Sequence, residues 1–196
     1  MDLSMLTLQF DQNALKDKNR FELQITDENE LSGLPESARD AAAMLAKSKD
    51  KNGWLFNLSA PSYIPFMRYS DKRDLREKMY REYMSVGNKG DEFDNKDIIK
   101  KIVNIRLEIA QLMGFKNYAE YALEHTMAKN SANVYKLLNQ LLEAYKPIAI
   151  NEYNAVEGFA LGTEKENITV MPWDWSYYSE KLRDIRFKVN DEMTRL

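Results

Sequence analysis

The segment DNKDIIKKIVNIRLEIAQLMG, residues 94–114, carries the clearest secondary-structure signal in the chain. Its large aliphatic residues recur at alternating steps of four and three, which places them on one face of an α-helix. They are Ile98, Ile102, Ile105, Ile109 and Leu112, and the face is widened by Ile99, Val103, Ala110 and Met113. Asp94 or Asn95 suits the cap of this helix, and Gly114 suits the left-handed position after its end. The segment predicts a helix buried in a core.

Helical patterns continue on both sides of this segment. A partial helix is predicted at residues 3–9. Further helices are predicted to begin at residues 35, 71, 117 and 131. The first of these should end between residues 47 and 50, the second near 86 and the third near 127. Asn117 and Glu120 have the chemistry of a capping box. Pro147 should kink or interrupt the last helix, because it lacks an amide donor and clashes with the preceding turn. The sequence therefore predicts a mainly α fold.

A small extended element is expected near residues 54–66. Residues 54–58, WLFNL, alternate with the period of a β-strand, and residues 20–26, RFELQIT, form a second extended candidate. Pro61 and Pro65 disfavour a regular helix in the stretch that follows. We therefore expect a strand or hairpin here, inside an otherwise helical chain.

A polar linker, GNKGDEFD, separates the early helices from the segment at 94–114. It contains Gly87 and Gly90, which end the preceding helix. We interpret the chain as one helical piece covering residues 1–196, with a sub-boundary at the 87–94 linker.

Composition places the chain among folded proteins and narrows its partners. Of its 196 residues, 44% are hydrophobic and 30% are charged, which is ordinary globular usage. The net charge of -3 gives no overall basic field, so neither nucleic acid nor a membrane surface is predicted as a partner. The apolar runs are far shorter than the roughly 20 residues of a membrane-spanning helix, and the N-terminus lacks a signal-peptide pattern. The lack of cysteine favours the cytoplasm.

The search for catalytic chemistry finds a single histidine, His125. A zinc peptidase helix needs two histidines one turn apart, with a glutamate beside the first. His125 is instead interpreted as a helix-end residue bonded to a backbone carbonyl or to water. The acid pairs at 91–92 and 191–192 have no apolar surroundings to raise a pKa, so they are interpreted as solvated charge. We predict no catalytic, cofactor-binding or metal-binding residue in this chain.

The segment MPWDWSYYSEKLRDIRF, residues 171–187, places two of the three tryptophans around one acid. Pro172 is expected to end a loop, and Asp174 or Ser176 to cap a helix. Trp173, Tyr177 and Lys181 follow one another at steps of four and so form one strip along that helix. Trp175 and Tyr178 lie on an adjacent strip. One interpretation is an aromatic anchor that docks the helix on its neighbours. The alternative is a platform for carbohydrate or peptide.

Four blocks, in this order, resemble the zinc metallopeptidases of the thimet oligopeptidase family, which includes oligopeptidase A and peptidyl-dipeptidase (dipeptidyl carboxypeptidase). They are LSGLPESA at 31–38, GWLFNLSAPSYIPFMRYSDKRDLREKMYREY at 53–83, DNKDIIKKIVNIRLEIAQLMGFKNYAEYALEHTMAKN at 94–130 and MPWDWSYYSEKLR at 171–183. The resemblance covers residues 6–196. It implies a neurolysin-like, multi-helix scaffold around a channel that admits short peptides.

The resemblance also implies zinc in a larger parent enzyme, bound by a His-Glu-x-x-His motif that no residue of this chain matches. We therefore expect a non-catalytic scaffold and channel-wall fragment of a zinc-dependent peptidyl-dipeptidase or oligopeptidase, inactive by itself. Its expected partners are the remainder of the parent and, in the whole enzyme, short peptides. Release of dipeptides is preferred slightly over internal cleavage. The alternative is a free-standing helical binding module that has lost the peptidase chemistry.

Overall fold

The computed structural model describes residues 2–164 and 168–188, which form eight α-helices and one two-stranded antiparallel sheet. The elements are α1 (Leu3–Arg20), β1 (Leu23–Ile25), α2 (Glu36–Ser48), β2 (Trp54–Phe56), α3 (Ala60–Tyr69), α4 (Arg73–Met84), α5 (Lys96–Leu112), α6 (Tyr118–Leu123), α7 (Ser131–Thr163) and α8 (Pro172–Phe187). A 3₁₀ turn at Glu28–Leu31 follows β1. The predicted mainly α fold with a small strand element is confirmed.

The chain divides into two compact units. The first unit consists of Met1–Leu15 and Gly87–Glu152, and the second consists of Lys16–Val86 and Tyr153–Leu196. Of the three boundaries between these segments, one falls inside α1, one in the loop after α4 and one inside α7.

The second unit contains a hydrophobic core built around the sheet. β1 and β2 pair with Leu23 opposite Phe56 and Ile25 opposite Trp54, and α2 packs against β2. The core residues are Leu23, Ile25, Leu31, Leu34, Ala42, Phe56, Leu58, Phe66, Met67, Met79 and Trp173. Gly53 introduces β2 with a φ of +79°, and a β-carbon there would lie 2.2 Å from the carbonyl oxygen of Ile25. Only glycine fits this approach to β1.

Helix α8 is fixed in the second unit by α3 and α4, against which it packs. A smaller apolar cluster joins it to the carboxyl-terminal part of α7. Its buried members are Val156 and Ala160 of α7 with Tyr177 and Tyr178 of α8. The first half of α8 is thereby held against α3, α4 and α7.

The first unit contains much less buried apolar surface. Of the buried hydrophobic residues in the described chain, only Leu6, Ile98 and Ala110 belong to it. A polar contact contributes instead, because Asn13 donates to the side-chain oxygen of Asn95 at 3.1 Å, and both side chains are buried.

The prediction that α5 is a core helix is only partly met. Ile98 and Ala110 are buried, but Ile99 and Val103 are 46% and 56% exposed. The helix itself is present at the predicted place, with Asn95 at its cap position. The described elements therefore cover one strip of its wide apolar face and leave a second strip open.

One prediction based on proline is wrong. Residues 60–69 form α3, although an extended or irregular piece was expected there. Pro61 lies at the start of this helix, where the first amides have no intrahelical partner. Pro65 is tolerated inside it, with Phe66 and Met67 buried in the core beside it. Helix α7 is not interrupted at Pro147, so the kink expected as the other effect of this residue stays a prediction.

Candidate functional site

The candidate site is built around the first turn of α8. Met171 occupies the cap position and Pro172 the first helical position, so Asp174 lies in the first turn. The backbone amide of Met171 donates to Asp174 Oδ2 at 3.0 Å. Asp174 or Ser176 was predicted as the cap residue, and both placements are wrong. Proline is favoured at the first helical position because its missing amide has no partner there, so the helix begins earlier than expected.

Asp174 is the acceptor in a buried ion pair with two arginines of α4. Arg73 Nη2 lies 2.7 Å from Asp174 Oδ2, and Arg76 Nη2 lies 2.9 Å from Asp174 Oδ1. The side chains of Asp174 and Arg76 are 0% and 1% exposed, while that of Arg73 is 43% exposed. Arg76 also donates from Nη1 to the carbonyl oxygen of Ser70 at 2.7 Å. The guanidinium charge of Arg76 is thus shared among several acceptors.

These contacts determine the charge state of Asp174. Burial alone raises the pKa of a carboxyl group, but the hydrogen bonds from Arg73, Met171 and Arg76 outweigh it and hold the pKa of Asp174 below its ordinary value. The carboxylate is therefore ionised near neutral pH. An ionised carboxylate that is already bonded to two guanidinium groups acts as a structural acceptor and has no proton to donate.

The two arginines are the site residues that sequence reasoning missed. Arg73 and Arg76 are three residues apart and so lie on the same face of α4. That spacing, together with an acid enclosed by tryptophans, was the available signal. It did not identify the pairing, because Asp174 lies about a hundred residues away in sequence.

The tyrosine pair extends the polar network on two sides of α8. Tyr177 donates its hydroxyl to Asp71 Oδ1 at 2.7 Å, and Tyr178 donates to Glu164 Oε1 at 2.6 Å. The guanidinium carbon of Arg76 lies 3.9 Å from the centre of the Tyr177 ring. Burial and the hydrogen bonds to these carboxylates raise the pKa of both tyrosines, so the hydroxyls remain donors.

The structure divides the aromatic residues of the motif into two groups. Trp173, Tyr177 and Tyr178 are buried. Trp175 is 38% exposed and stacks on Tyr153, with ring centres 5.9 Å apart and planes 7° apart. The interpretation of the motif as a helix anchor is confirmed for the buried group. Trp175 is the aromatic residue of the motif that has the exposure a binding platform needs, and its stacking partner Tyr153 of α7 is exposed as well.

A pocket of about 340 Å³, lined by several charged side chains, adjoins this network. Its lining residues are Gly33, Pro35, Arg68, Tyr69, Asp71, Glu180, Lys181 and Asp184. Asp71 already accepts hydrogen bonds from Ser32 and Tyr177 and lies 3.5 Å from Lys181 Nζ. The pocket therefore mixes both signs of charge and suits a small polar group.

The donors in this chain do not fit a zinc site. The side chain of His125 is 90% exposed, and its Nε2 atom lies 3.5 Å from Glu124 Oε2. Within residues 2–164 and 168–188, no three His, Cys, Asp or Glu side chains are grouped so as to hold a metal ion. A catalytic zinc ion in proteins has three protein ligands and a water molecule. The sequence supplies no second histidine and no cysteine.

The other predicted polar features lie away from the site or outside the described residues. Asp91 lies in an exposed turn, where its Oδ1 atom accepts the amide of Phe93 at 3.0 Å. The acid pair at 191–192 lies outside the described residues, as does most of the polar loop at 164–167. Among the helices that the structure describes, none is both long and apolar enough to span a lipid bilayer.

Comparison with protein families gives a match over most of the chain. Residues 66–195 match the model described as Peptidase family M3. This matched region contains α4 with its two arginines and α8 with its acid, so it includes both sides of the buried ion pair.

Several curated proteins are similar to the chain over nearly its whole length. Oligopeptidase A of Haemophilus influenzae is 40% identical over 199 residues, covering 98% of this chain and 29% of the relative. Organellar oligopeptidase A, chloroplastic/mitochondrial, of Arabidopsis thaliana is 37% identical, with 99% and 25% covered. Dipeptidyl carboxypeptidase of Escherichia coli is 27% identical, with 97% and 28% covered. The chain spans less than a third of the length of these relatives.

Proposed function

This chain belongs to peptidase family M3, and we propose that it is the non-catalytic scaffold portion of a larger zinc-dependent peptidase that hydrolyses short peptides. The alignment to oligopeptidase A carries the proposal, because it covers 98% of this chain but only 29% of the relative. In this proposal residues 1–196 are one portion of the parent enzyme and contribute part of the wall of its peptide channel.

The zinc site is assigned to polypeptide outside this chain. One exposed histidine beside one glutamate cannot provide the three protein ligands that a catalytic zinc ion requires. In this proposal, the role of this portion is structural. Its buried Asp174 and two arginines join α8 to α4, and this rigid junction positions the surfaces that surround the bound peptide.

The parent enzyme is proposed to be an oligopeptidase of the oligopeptidase A type. Identity to oligopeptidase A of Haemophilus influenzae is 40%, against 27% for the dipeptidyl carboxypeptidase of Escherichia coli. This difference in identity favours an oligopeptidase, whereas the motifs alone had slightly favoured an enzyme that releases dipeptides. We propose the cytoplasm as its location, although one relative is named as organellar.

The decisive experiment compares the purified chain with a chimera. In the chimera, the chain replaces the matching segment of Haemophilus influenzae oligopeptidase A. We expect the chimera to cleave a quenched fluorescent peptide in a reaction that a chelator abolishes, and the isolated chain to give no cleavage above background. Chelator-sensitive turnover by the isolated chain would refute the scaffold role. A correctly folded chimera without activity would also count against it.

A further inference from the structure

Helix α7 presents a wide apolar face that no described residue covers. Its members are Tyr135, Leu137, Leu138, Leu141, Leu142, Tyr145 and Ile148, all between 42% and 65% exposed. At 3.6 residues per turn, these side chains span roughly 160° of the helix circumference and about 21 Å of its length. A helix with such a face normally buries it against a neighbour.

The charged residues in this part of α7 lie on the side away from the apolar face. Between residues 135 and 149 the charged residues are Lys136, Glu143 and Lys146, and all three fall outside the apolar face. The face itself contains no charge at all. The face therefore offers no charge complementarity to an acidic, basic or nucleic-acid partner, and it suits a neighbour that presents an apolar surface.

A second uncovered strip belongs to the same unit. Ile99, Val103 and Leu107 of α5 are exposed and lie at steps of four. The first unit also holds only three of the buried hydrophobic residues in the described chain. Two exposed strips and so small a core point to a large neighbour. A short peptide bound along one helix would leave the strip on α5 exposed.

We propose that the apolar face of α7 at residues 135–148 is the surface that docks on the remaining polypeptide of the same M3 peptidase. This inference rests on the proposed function. Its occupant follows from length, because the chain spans 29% of oligopeptidase A from Haemophilus influenzae, so the larger part of such a protein is available to cover this face. The neighbouring surface is expected to be helical and apolar.

Two matched variants separate this face from the rest of α7. Leu141→Glu places a negative charge within the apolar face. Gln140→Glu places the same charge at the preceding residue, whose side chain lies outside the face on the opposite side of the helix. Both positions are exposed in the isolated chain, so both variants should fold like the parent chain. Only Leu141→Glu should interfere with docking, because it would bury an unpaired carboxylate.

The test is amide hydrogen exchange, followed by mass spectrometry, in the isolated chain and in the chimera with oligopeptidase A. Amides of residues 135–149 should exchange at least about 100-fold more slowly in the chimera, since docking suppresses local opening. Leu141→Glu should remove most of this protection, and Gln140→Glu should keep it. Equal exchange in chain and chimera overturns the inference. The inference is also overturned if the isolated chain sediments as a dimer and its α7 amides become protected as the concentration rises. That result would identify a second copy of the chain as the occupant.

The outcomes also separate this inference from the proposed function. Slow exchange of α7 in a chimera without peptidase activity would support docking and refute only the proposed function. An active chimera in which α7 exchanges rapidly would refute only docking. If the chimera does not fold, the same exchange measurement on intact oligopeptidase A of Haemophilus influenzae decides, and rapid exchange in the helix aligned with α7 overturns the inference.

Discussion

At the residue scale, the main polar feature of the second unit is a buried charge. Asp174 is fully buried and is paired with Arg73 and Arg76. A buried ion pair adds little net stability compared with well-packed apolar residues, but removing one partner strands the other in a low-dielectric interior. The three side chains therefore act as a unit that joins α4 to α8, and each is sensitive to the loss of the others.

We expect Asp174→Asn to destabilise the second unit by about 3–5 kcal/mol, because Arg76 would keep its buried charge without a carboxylate. Urea unfolding followed by circular dichroism measures the loss. Asp184→Asn is the matched control, since Asp184 lies on the same helix and is exposed, so its effect should stay within about 0.5 kcal/mol. Equal stability of the two variants would contradict the assigned role of Asp174.

The same pair predicts a pH dependence. The pKa of Asp174 is lower in the folded chain than in the unfolded chain, so the unfolded state takes up the proton first as pH falls. The stability contributed by this group is complete above about pH 5 and is lost progressively below it, as pH falls through the pKa of the unfolded chain and toward the lower pKa of the folded chain. We expect the free-energy difference between the parent chain and Asp174→Asn to shrink between pH 6 and pH 3. A difference that stays constant across this range would contradict the lowered pKa.

Trp173 and Trp175 form a second matched pair at this scale. Trp173 is 6% exposed in the core of the second unit, while Trp175 is 38% exposed. Trp173→Ala should cost about 3–5 kcal/mol through lost burial and a cavity, and Trp175→Ala should cost clearly less. Thermal unfolding distinguishes the two variants. An unchanged melting temperature for Trp173→Ala would refute the anchor interpretation of the motif.

At the element scale, the sequence predicted helices well where local chemistry decides the outcome. Asn117 and Glu120 form the expected capping contact, with the amide of Glu120 donating to Asn117 Oδ1 at 2.9 Å. The sequence failed at α3, because the effect of Pro65 depends on how strongly the adjacent Phe66 and Met67 are buried, which is a tertiary property. The pairing of Asp174 with α4 was missed for the same reason.

The connection from the 3₁₀ turn to α2 gives a prediction at this scale. Gly33 has a φ of +83°, and a β-carbon there would lie 2.1 Å from the carbonyl oxygen of Tyr69. Gly90 has a similar φ of +73°, with no atom within 4 Å of the same position. Gly90→Ala should therefore cost only the backbone penalty of about 1–2 kcal/mol, and Gly33→Ala should cost more because it also clashes. Equal losses in chemical unfolding would refute this local packing.

At the scale of the whole molecule, the two units differ in how much of their apolar surface is buried within the described chain. The second unit has a core around its sheet and a buried ion pair, while most of the apolar side chains of α5 and α7 in the first unit are exposed. A sequence pattern shows which faces are apolar but not whether a neighbour within the same chain covers them. This is why α5 was predicted as a core helix. The imbalance supports a scaffold portion that is completed by further polypeptide.

The most direct test of the scaffold proposal is zinc binding by the isolated chain. Isothermal titration calorimetry with zinc alone, supported by metal analysis after dialysis, measures the stoichiometry. We expect no stoichiometric zinc binding, because the chain contains one histidine and no cysteine. His125→Ala should give the same result as the parent chain. One tightly bound zinc ion per chain, lost in His125→Ala, would show that the chain carries its own metal site and would contradict the scaffold role.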